Sequence, residues 1–431
     1  MTTTISGLDS FASGDHAPDG VRMDSSVELA EEGRSRATAA RRVGHGSSVN
    51  ASDVTRHIKL DVQCELWGRA AGRCQFNGCN LPLYKSPVTQ ERVNLGEKAH
   101  IYSFSPIGPR GRGPLEPTPE QVNGISNLLL VCHGCHRKID QDEQGARYSA
   151  KLLKSWKEAH ETRVRIVTGI SPNKKSHVVL YGSRIGDERS PLHYDSAAEA
   201  IFPDWYPTDA SPINLSMQSL HDDSTPEFWI TEKLHLQKAF DRQLRPLIEE
   251  GSPNQFSIFG FASQPLLVLL GSLLTDKIPS EVYQLRRKPP TWRWQTAASP
   301  IAYRIVEPAK CSGDPVLIIS LSARIVHERI AAVLPKDSSI WELTIDECHN
   351  DFLCSKQHLV EYCEAVRKVM VAITSAHPRA SRIAIFPAMP IACAIELGRA
   401  RQPKADLPWI IFDQNNKHRR FIQTITIGEH A

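Results

Sequence analysis

A chain of 431 residues is too long for one ordinary hydrophobic core and has room for two folded domains and a tail. Hydrophobic residues at 41% and charged residues at 23% are ordinary for a globular protein in water. The most apolar run, Leu266–Leu274, is interrupted by Gly271 and Ser272 and has about half of the roughly 20 residues a bilayer span needs. That excludes a spanning helix there, and the N-terminus carries no basic-then-apolar secretion pattern, so a cytoplasmic location is expected. The net charge of +3 conceals an asymmetry: residues 55–170 hold 17 basic against 11 acidic groups, while residues 171–431 balance at 29 against 29. A basic middle block suits a polyanionic partner and equally an ordinary solvated surface.

Residues 1–54 are rich in Ser, Thr, Gly, Ala and Asp and lack apolar periodicity, which predicts a disordered N-terminal tail. A first packed block follows over 55–170. It closes on a helix at Ser149–Val167, where Leu152, Leu153, Trp156, Ala159 and Val164 recur at helical spacing. Residues 171–176 read as a linker.

From His177 to the end, short apolar runs alternate with helical patterns. Strands are predicted at Phe256–Phe261, Glu281–Leu285, Val316–Leu321, Trp341–Ile345, Ile383–Phe386, Trp409–Phe412 and Phe421–Ile427. Helices are predicted at Pro265–Thr275, Ser355–Ala376 and Pro390–Arg399. This alternation implies βαβ units and a mostly parallel sheet. Phe261-Ala-Ser-Gln-Pro265 and Phe386-Pro-Ala-Met-Pro390 each end a strand and start an apolar helix with proline in its first turn, a faint internal repeat.

Ten cysteines in a chain of this kind point to metal ligands or buried thiols rather than disulfides. Cys74-Gln-Phe-Asn-Gly-Cys79 and Cys132-His-Gly-Cys135 form two close pairs whose thiolates can close a tetrahedral site, which predicts a structural Zn²⁺. Between and beside them lie His100 in Glu97-Lys-Ala-His-Ile101, Asn127 opening the run Asn127–Val131, and His136 directly after Cys135. Two strands and a helix are thereby expected to bring His, Asn and His to a common point.

This set resembles the ββα-metal motif of HNH nucleases, in the variant with flanking cysteine pairs, over about residues 64–165. The resemblance implies metal-dependent phosphodiester hydrolysis. His100 would be the general base. His136 would hold one Mg²⁺ or similar ion as Lewis acid, and Asn127 would fix the loop and the ring of His100. His136 could instead complete the zinc set. Many relatives have Asp just before the first His, where this chain has Ala99, so the second protein ligand stays open among water, Glu97 and Asp140; on a regular strand Glu97 faces away from His100. Arg110 and Arg112, on a Gly- and Pro-shaped loop, are candidates to grip backbone phosphate. No recognition helix is apparent, so cutting with little sequence preference is expected.

No Walker A loop or second catalytic set stands out in the C-terminal half. Gln264–Gly271, Trp292-Arg-Trp294, Ile319–Ser322, Phe386–Pro390, Gly398-Arg399 and the run ending at Pro408 resemble the SAVED sensor domain, a fusion of two CARF-like, Rossmann-like α/β units, over 177–431. HNH followed by SAVED resembles the effectors of bacterial cyclic-oligonucleotide-based anti-phage signalling (CBASS). That implies a cyclic di- or trinucleotide made by a partner nucleotidyltransferase, ligand-induced homo-oligomerisation to a tetramer or larger, and degradation of double-stranded DNA. Bases need stacking faces and phosphates need positive or N–H-rich ground, which nominates Trp292, Trp294, Arg286, Arg287, Gln264 and Pro387. Two alternatives stay open: a restriction-type endonuclease whose C-terminal domain reads DNA, and a non-catalytic zinc module that binds nucleic acid.

Overall fold

The computed structural model describes residues 57–116, 118–184, 190–217, 219, 221–250, 255–296, 299–335, 337–415, 417 and 420–428. The tail expected over 1–54 lies outside the described residues. Among them no helix is long and apolar enough to cross a membrane.

The first block comprises α1 (Leu60–Arg69), β1 (Gly96–His100), α2 (Pro119–Val122), β2 (Leu128–Cys132), α3 (His133–Gln141) and α4 (Ala150–Thr168). β1 and β2 are antiparallel, with Gly96 opposite Cys132 and His100 opposite Leu128. α3 starts at the residue after β2 ends, so strand and helix form one ββα unit. Leu128–Val131 are fully buried. Side chains alternate across β1. Lys98 Nζ donates to Gln63 Oε1 on α1 at 2.8 Å, while Glu97 reaches α3 from the other face. Ala99 and Ile101 follow Glu97's face into a core built from Leu66, Leu83, Leu128–Val131, Ile139 and Leu153. Ser149 caps α4 by accepting from Leu152 N. Asn127 ends a 3₁₀ turn, Ile125–Asn127, rather than opening the strand.

Residues 175–428 form two α/β units. The first holds β3 (Lys175–Gly182), α5 (Tyr194–Ala200), β4 (Tyr206–Pro207), β5 (Ile213–Asn214), α6 (Pro226–Gln243), α7 (Arg245–Glu249), β6 (Gln255–Phe261), α8 (Gln264–Leu274) and β7 (Ser280–Tyr283). Its sheet runs β4-β3-β6-β7 with β5 also on β3, all parallel. Lys175 and Ser176, expected in the linker, already belong to β3 because they pair with β4. A small hairpin follows, β8 (Arg286–Arg287) and β9 (Pro290–Thr291).

The second unit contains β10 (Arg304–Val306), β11 (Pro315–Ser320), α9 (His327–Ala331), β12 (Ser339–Thr344), α10 (Lys356–Ala376), β13 (Ile383–Ala388), α11 (Ile391–Ala400), β14 (Trp409–Asn415) and β15 (Arg420–Ile427). Its sheet order is β10-β12-β11-β13-β14-β15. The central four strands are parallel and the two edges antiparallel.

One core joins the two units through α8 and α11. α8 is apolar all round and buried along most of its length, as an interior helix must be. The helices meet backbone to backbone. A Cβ on Gly271 would lie 1.9 Å from Ile395 O, and one on Gly398 would lie 2.0 Å from Val268 O. The repeat read from Phe261–Pro265 and Phe386–Pro390 is therefore structural: β6 feeds α8 as β13 feeds α11, and the two copies pack on each other. Two glutamines of the first unit complete the joint. Gln264 Oε1 accepts from Met389 N at 3.2 Å, and Gln284 Oε1 accepts from Ala392 N at 3.0 Å, satisfying an otherwise unpaired donor at the start of α11.

Candidate functional site

The four thiols come together. One ligand atom from each of Cys74, Cys79, Cys132 and Cys135 lies within 4.8 Å of the others, and among the described residues this is the single group of three or more His, Cys, Asp or Glu side chains so arranged. A Zn–S bond of about 2.3 Å in a tetrahedron requires sulfur–sulfur edges of about 3.8 Å. Cys79 Sγ and Cys132 Sγ are 3.9 Å apart.

The first knuckle turns at Gly78, whose φ of +81° is a conformation glycine adopts without cost. The second has no such turn, because His133 and Gly134 already lie in α3; Cys132 sits at the N-cap and Cys135 one turn on. Gln75 docks the first knuckle on β2, its backbone N donating to Leu130 O and its Oε1 accepting from Leu130 N, both at 2.8 Å. Burial pushes the Cys74 thiol up to about 12 and the Cys135 thiol up as well. Burial also opposes ionisation of Cys132, but the Cys135 N–H and the surrounding thiols outweigh it and hold that thiol below its usual value. Four such thiolates coexist only around a cation, and the donor set fits a structural metal.

Beside Glu97 of β1, His136 sits between two carboxylates. Its Nδ1 is 2.5 Å from Glu97 Oε2 and its Nε2 is 3.3 Å from Asp140 Oδ2. Glu97 also binds His133 Nδ1 through Oε1 at 2.7 Å. Burial acts to raise the Glu97 carboxyl, yet the hydrogen bonds from His133 and His136 win and hold it below its usual value of 4.5. The strand alternation that turns Glu97 away from His100 is what delivers it to His136.

His100, the last residue of β1, is held from a different segment. His100 Nε2 meets Asn123 Oδ1 at 3.0 Å, and Asn123 Nδ2 donates to His57 O at 3.2 Å. Asn123 thereby ties the His100 ring to the segment before α1. The expectation that Asn127 orients this ring is corrected. Asn127 spends its amide on the chain just beyond His100: Oδ1 accepts from Tyr102 N at 2.8 Å, and Nδ2 donates to Tyr102 O and Val122 O at 3.0 and 2.9 Å. Asn127 thus holds the loop, while Asn123 holds the ring. Asn123-Gly124 after a short helix reads in sequence as a plain turn, so nothing local singles it out.

Arg110 is not a phosphate grip. Its side chain is 4% exposed and bonded to backbone carbonyls. Arg112 is half-buried and donates to Phe104 O at 3.2 Å.

The nominated sensor residues do not form one pocket. Trp292 is buried in the core of the first unit, edge-on to Phe259 at 5.2 Å between ring centroids, and offers no face to a base. Pro387 is buried inside β13, in register with Ile319. Gln264 is occupied at the joint. Arg286 Nη1 and Nη2 meet the Gln295 carboxamide oxygen at 2.6 and 3.2 Å once that amide is turned over to face them, while Arg287 is exposed, its backbone N bonded to Asp351 Oδ1 at 3.3 Å. Trp294 is half-buried and lines a cavity of about 350 Å³ with Glu281, Lys356, Leu359, Cys363 and Arg367.

Two Rossmann-like units packed through a pair of central helices make an α/β architecture whose strand ends and βα loops are where such folds bind ligands. Residues 236–427 match the family described as the SMODS-associated and fused to various effectors sensor domain, SAVED, so the chain carries a SAVED domain over that stretch. β3 through the first part of α6 precede the matched segment yet share its first sheet.

Among solved structures, the Acinetobacter baumannii Cap4 SAVED/CARF-domain containing receptor with the cyclic trinucleotide 2'3'3'-cAAA is 12% identical, with a TM-score of 0.37 over 68% of this chain and 66% of that one. The same receptor with 3'3'3'-cAAA is 13% identical, with a TM-score of 0.36 over 68% and 66%. A Moraxella osloensis Cap4 receptor is 12% identical, with a TM-score of 0.32 over 68% and 64%. This chain thus spans just under two thirds of the length of these relatives. No curated protein matches the chain in sequence.

Proposed function

We propose that the chain is a DNA endonuclease whose cutting is switched on when a cyclic oligonucleotide binds its SAVED domain, an effector of anti-phage signalling. The observation that carries this reading is His136, set between Glu97 and Asp140 on a ββα unit, in the same chain as a SAVED domain. The four-sulfur cluster serves as the structural zinc site and holds β2 and α3 at their junction. His136 would hold the catalytic divalent ion through one ring nitrogen, with the carboxylate on that side, Asp140 at Nε2 or Glu97 at Nδ1, beside the ion and the other carboxylate fixing the ring. When bound there, Mg²⁺ or a similar ion supplies charge neutralisation at the scissile phosphate and the leaving oxygen.

His100, its ring held by Asn123, accepts the proton of the attacking water. Asn127 keeps the chain beyond His100 in place. The near-neutral charge of residues 171–431 fits a sensor better than a DNA reader. Gating follows if the ligand binds the assembled form better than the single chain.

Plasmid incubated with the protein and Mg²⁺, with and without cyclic di- and triadenylates, tests the reading. Degradation only with a cyclic oligonucleotide, abolished by His100→Ala, is the expected result. Discrete fragments without ligand would point to a restriction enzyme, and intact plasmid in every lane would leave a zinc-dependent binding module.

A further inference from the structure

Arg110 is built into the nuclease block with more care than a surface loop residue needs. Its guanidinium donates from Nε to Ile101 O at 2.8 Å, from Nη2 to His100 O at 3.2 Å and from Nη1 to Ile139 O at 2.8 Å. The nearest carboxylate oxygen, Asp140 Oδ1, is 3.9 Å away. The fork therefore spans two elements: the end of β1, which carries His100, and the last turn of α3, which carries His136 and Asp140.

The backbone is committed to this placement. Arg110 has φ +63°, a left-handed conformation that disfavours a non-glycine residue, and its N–H bonds Glu143 O at 2.8 Å. Beneath its stem lies Gly145, where a Cβ would come within 2.8 Å of Arg110 Cγ. Burial lowers the affinity of the guanidinium for its proton, against the attraction of Asp140 and Asp142. Three carbonyls in that fixed pattern suit a planar fork of donors, and a lysine ammonium cannot reproduce the geometry.

We infer that Arg110 is a positioning residue for the proposed hydrolysis, fixing the strand end that carries His100 against the helix that carries His136, so that base and cation cradle keep one spacing. This rests on the endonuclease reading and deepens it. A buried arginine that served folding alone would affect stability and leave the rate of the folded protein untouched.

The test uses the full chain with zinc bound, as wild type, Arg110→Lys and Arg110→Met. Mn²⁺ is titrated by electron paramagnetic resonance, and plasmid cleavage in Mg²⁺ with cyclic triadenylate as the activating probe gives kcat and KM for DNA. Arg110→Met is expected to lower kcat about 100-fold, the size of a misplacement of about 1 Å, with KM for DNA unchanged within about twofold. Mn²⁺ binding is expected to weaken about tenfold. Arg110→Lys should fall between Arg110→Met and wild type in both quantities, and all three proteins should retain zinc. Wild-type kcat and Mn²⁺ affinity in Arg110→Met overturn the inference, as does a rise in KM alone, which would mark a phosphate contact. If Arg110→Met loses zinc or fails to fold, Arg110→Lys decides, and wild-type kcat and Mn²⁺ affinity there overturn it. A wild type that binds no Mn²⁺ and cuts nothing overturns the endonuclease reading itself, a result seen before any variant is compared.

Discussion

The two folded regions solve the problem of staying folded in opposite ways. The ββα block has one two-stranded sheet and a small core, so its knuckles are clamped by four sulfurs and its loops by buried polar residues such as Asn127 and Arg110. The α/β region has two sheets and a large shared core, and depends instead on close backbone approach of α8 and α11 at Gly271 and Gly398. A small core buries too little surface to hold its loops unaided, whereas a large one can rely on shape. The contrast predicts which change breaks which region.

The largest effect is expected from Cys132→Ser. It removes a ligand from a site whose metal contributes folding free energy on the order of 10 kcal/mol in small zinc domains. The block should lose its thermal transition and its metal while the α/β region melts as in wild type, as calorimetry with zinc analysis would show. Melting of both regions together would erase the distinction.

Gly271→Ala should act the other way round. Its methyl would overlap Ile395 O at 1.9 Å, so the helices must separate, at a cost of about 3 kcal/mol or more. For a region of this size that is on the order of 10 °C in the transition of the α/β region, with metal content of the block unchanged. A variant that melts at the wild-type temperature would show that the crossing is looser than the contact requires.

A smaller effect sharpens the comparison from within the α/β region. Glu232 on α6 is fully buried, neither carboxylate oxygen has a hydrogen-bond partner among the described residues, and burial raises its carboxyl to about 7. Between pH 4.5 and 7 the unfolded chain gives up this proton while the folded one keeps it, so folding stability falls as pH rises through that window. The loss is about 3 kcal/mol if the group is uncharged below the window and ionised above it. Chemical denaturation across this range should show the slope in wild type and lose it in Glu232→Gln; an unchanged slope in the variant would assign it to other groups.

How much of this was legible in the sequence divides along the same line. Periodicity and turn chemistry are local, so the helix expected at Ser355–Ala376 is found at Lys356–Ala376 and the strand expected at Phe256–Phe261 at Gln255–Phe261. The cysteine pairs were readable because metal ligands come in close spacings, and the Phe–Pro repeat because both copies use the same strand-to-helix step.

Contacts between distant segments were not. Glu97 can be assigned to His136 only once β1 is known to lie with its odd-numbered face on α3. Asn123 takes the role expected of Asn127 because of where a 3₁₀ turn ends. Trp292 looked available for stacking because alternation alone does not say which face of the hairpin region is covered. Arg110 looked like a solvent-facing charge in a glycine-rich loop, and is buried because three carbonyls from two other segments converge on it.

The proposed hydrolysis requires His136 to hold a divalent ion. Plasmid degradation by wild type and His136→Ala, in Mg²⁺ with an activating cyclic oligonucleotide, tests it most directly, with zinc content measured on both proteins. The account predicts degradation by wild type and an intact plasmid with His136→Ala, at equal zinc content. Cutting by the variant at the wild-type rate would contradict it.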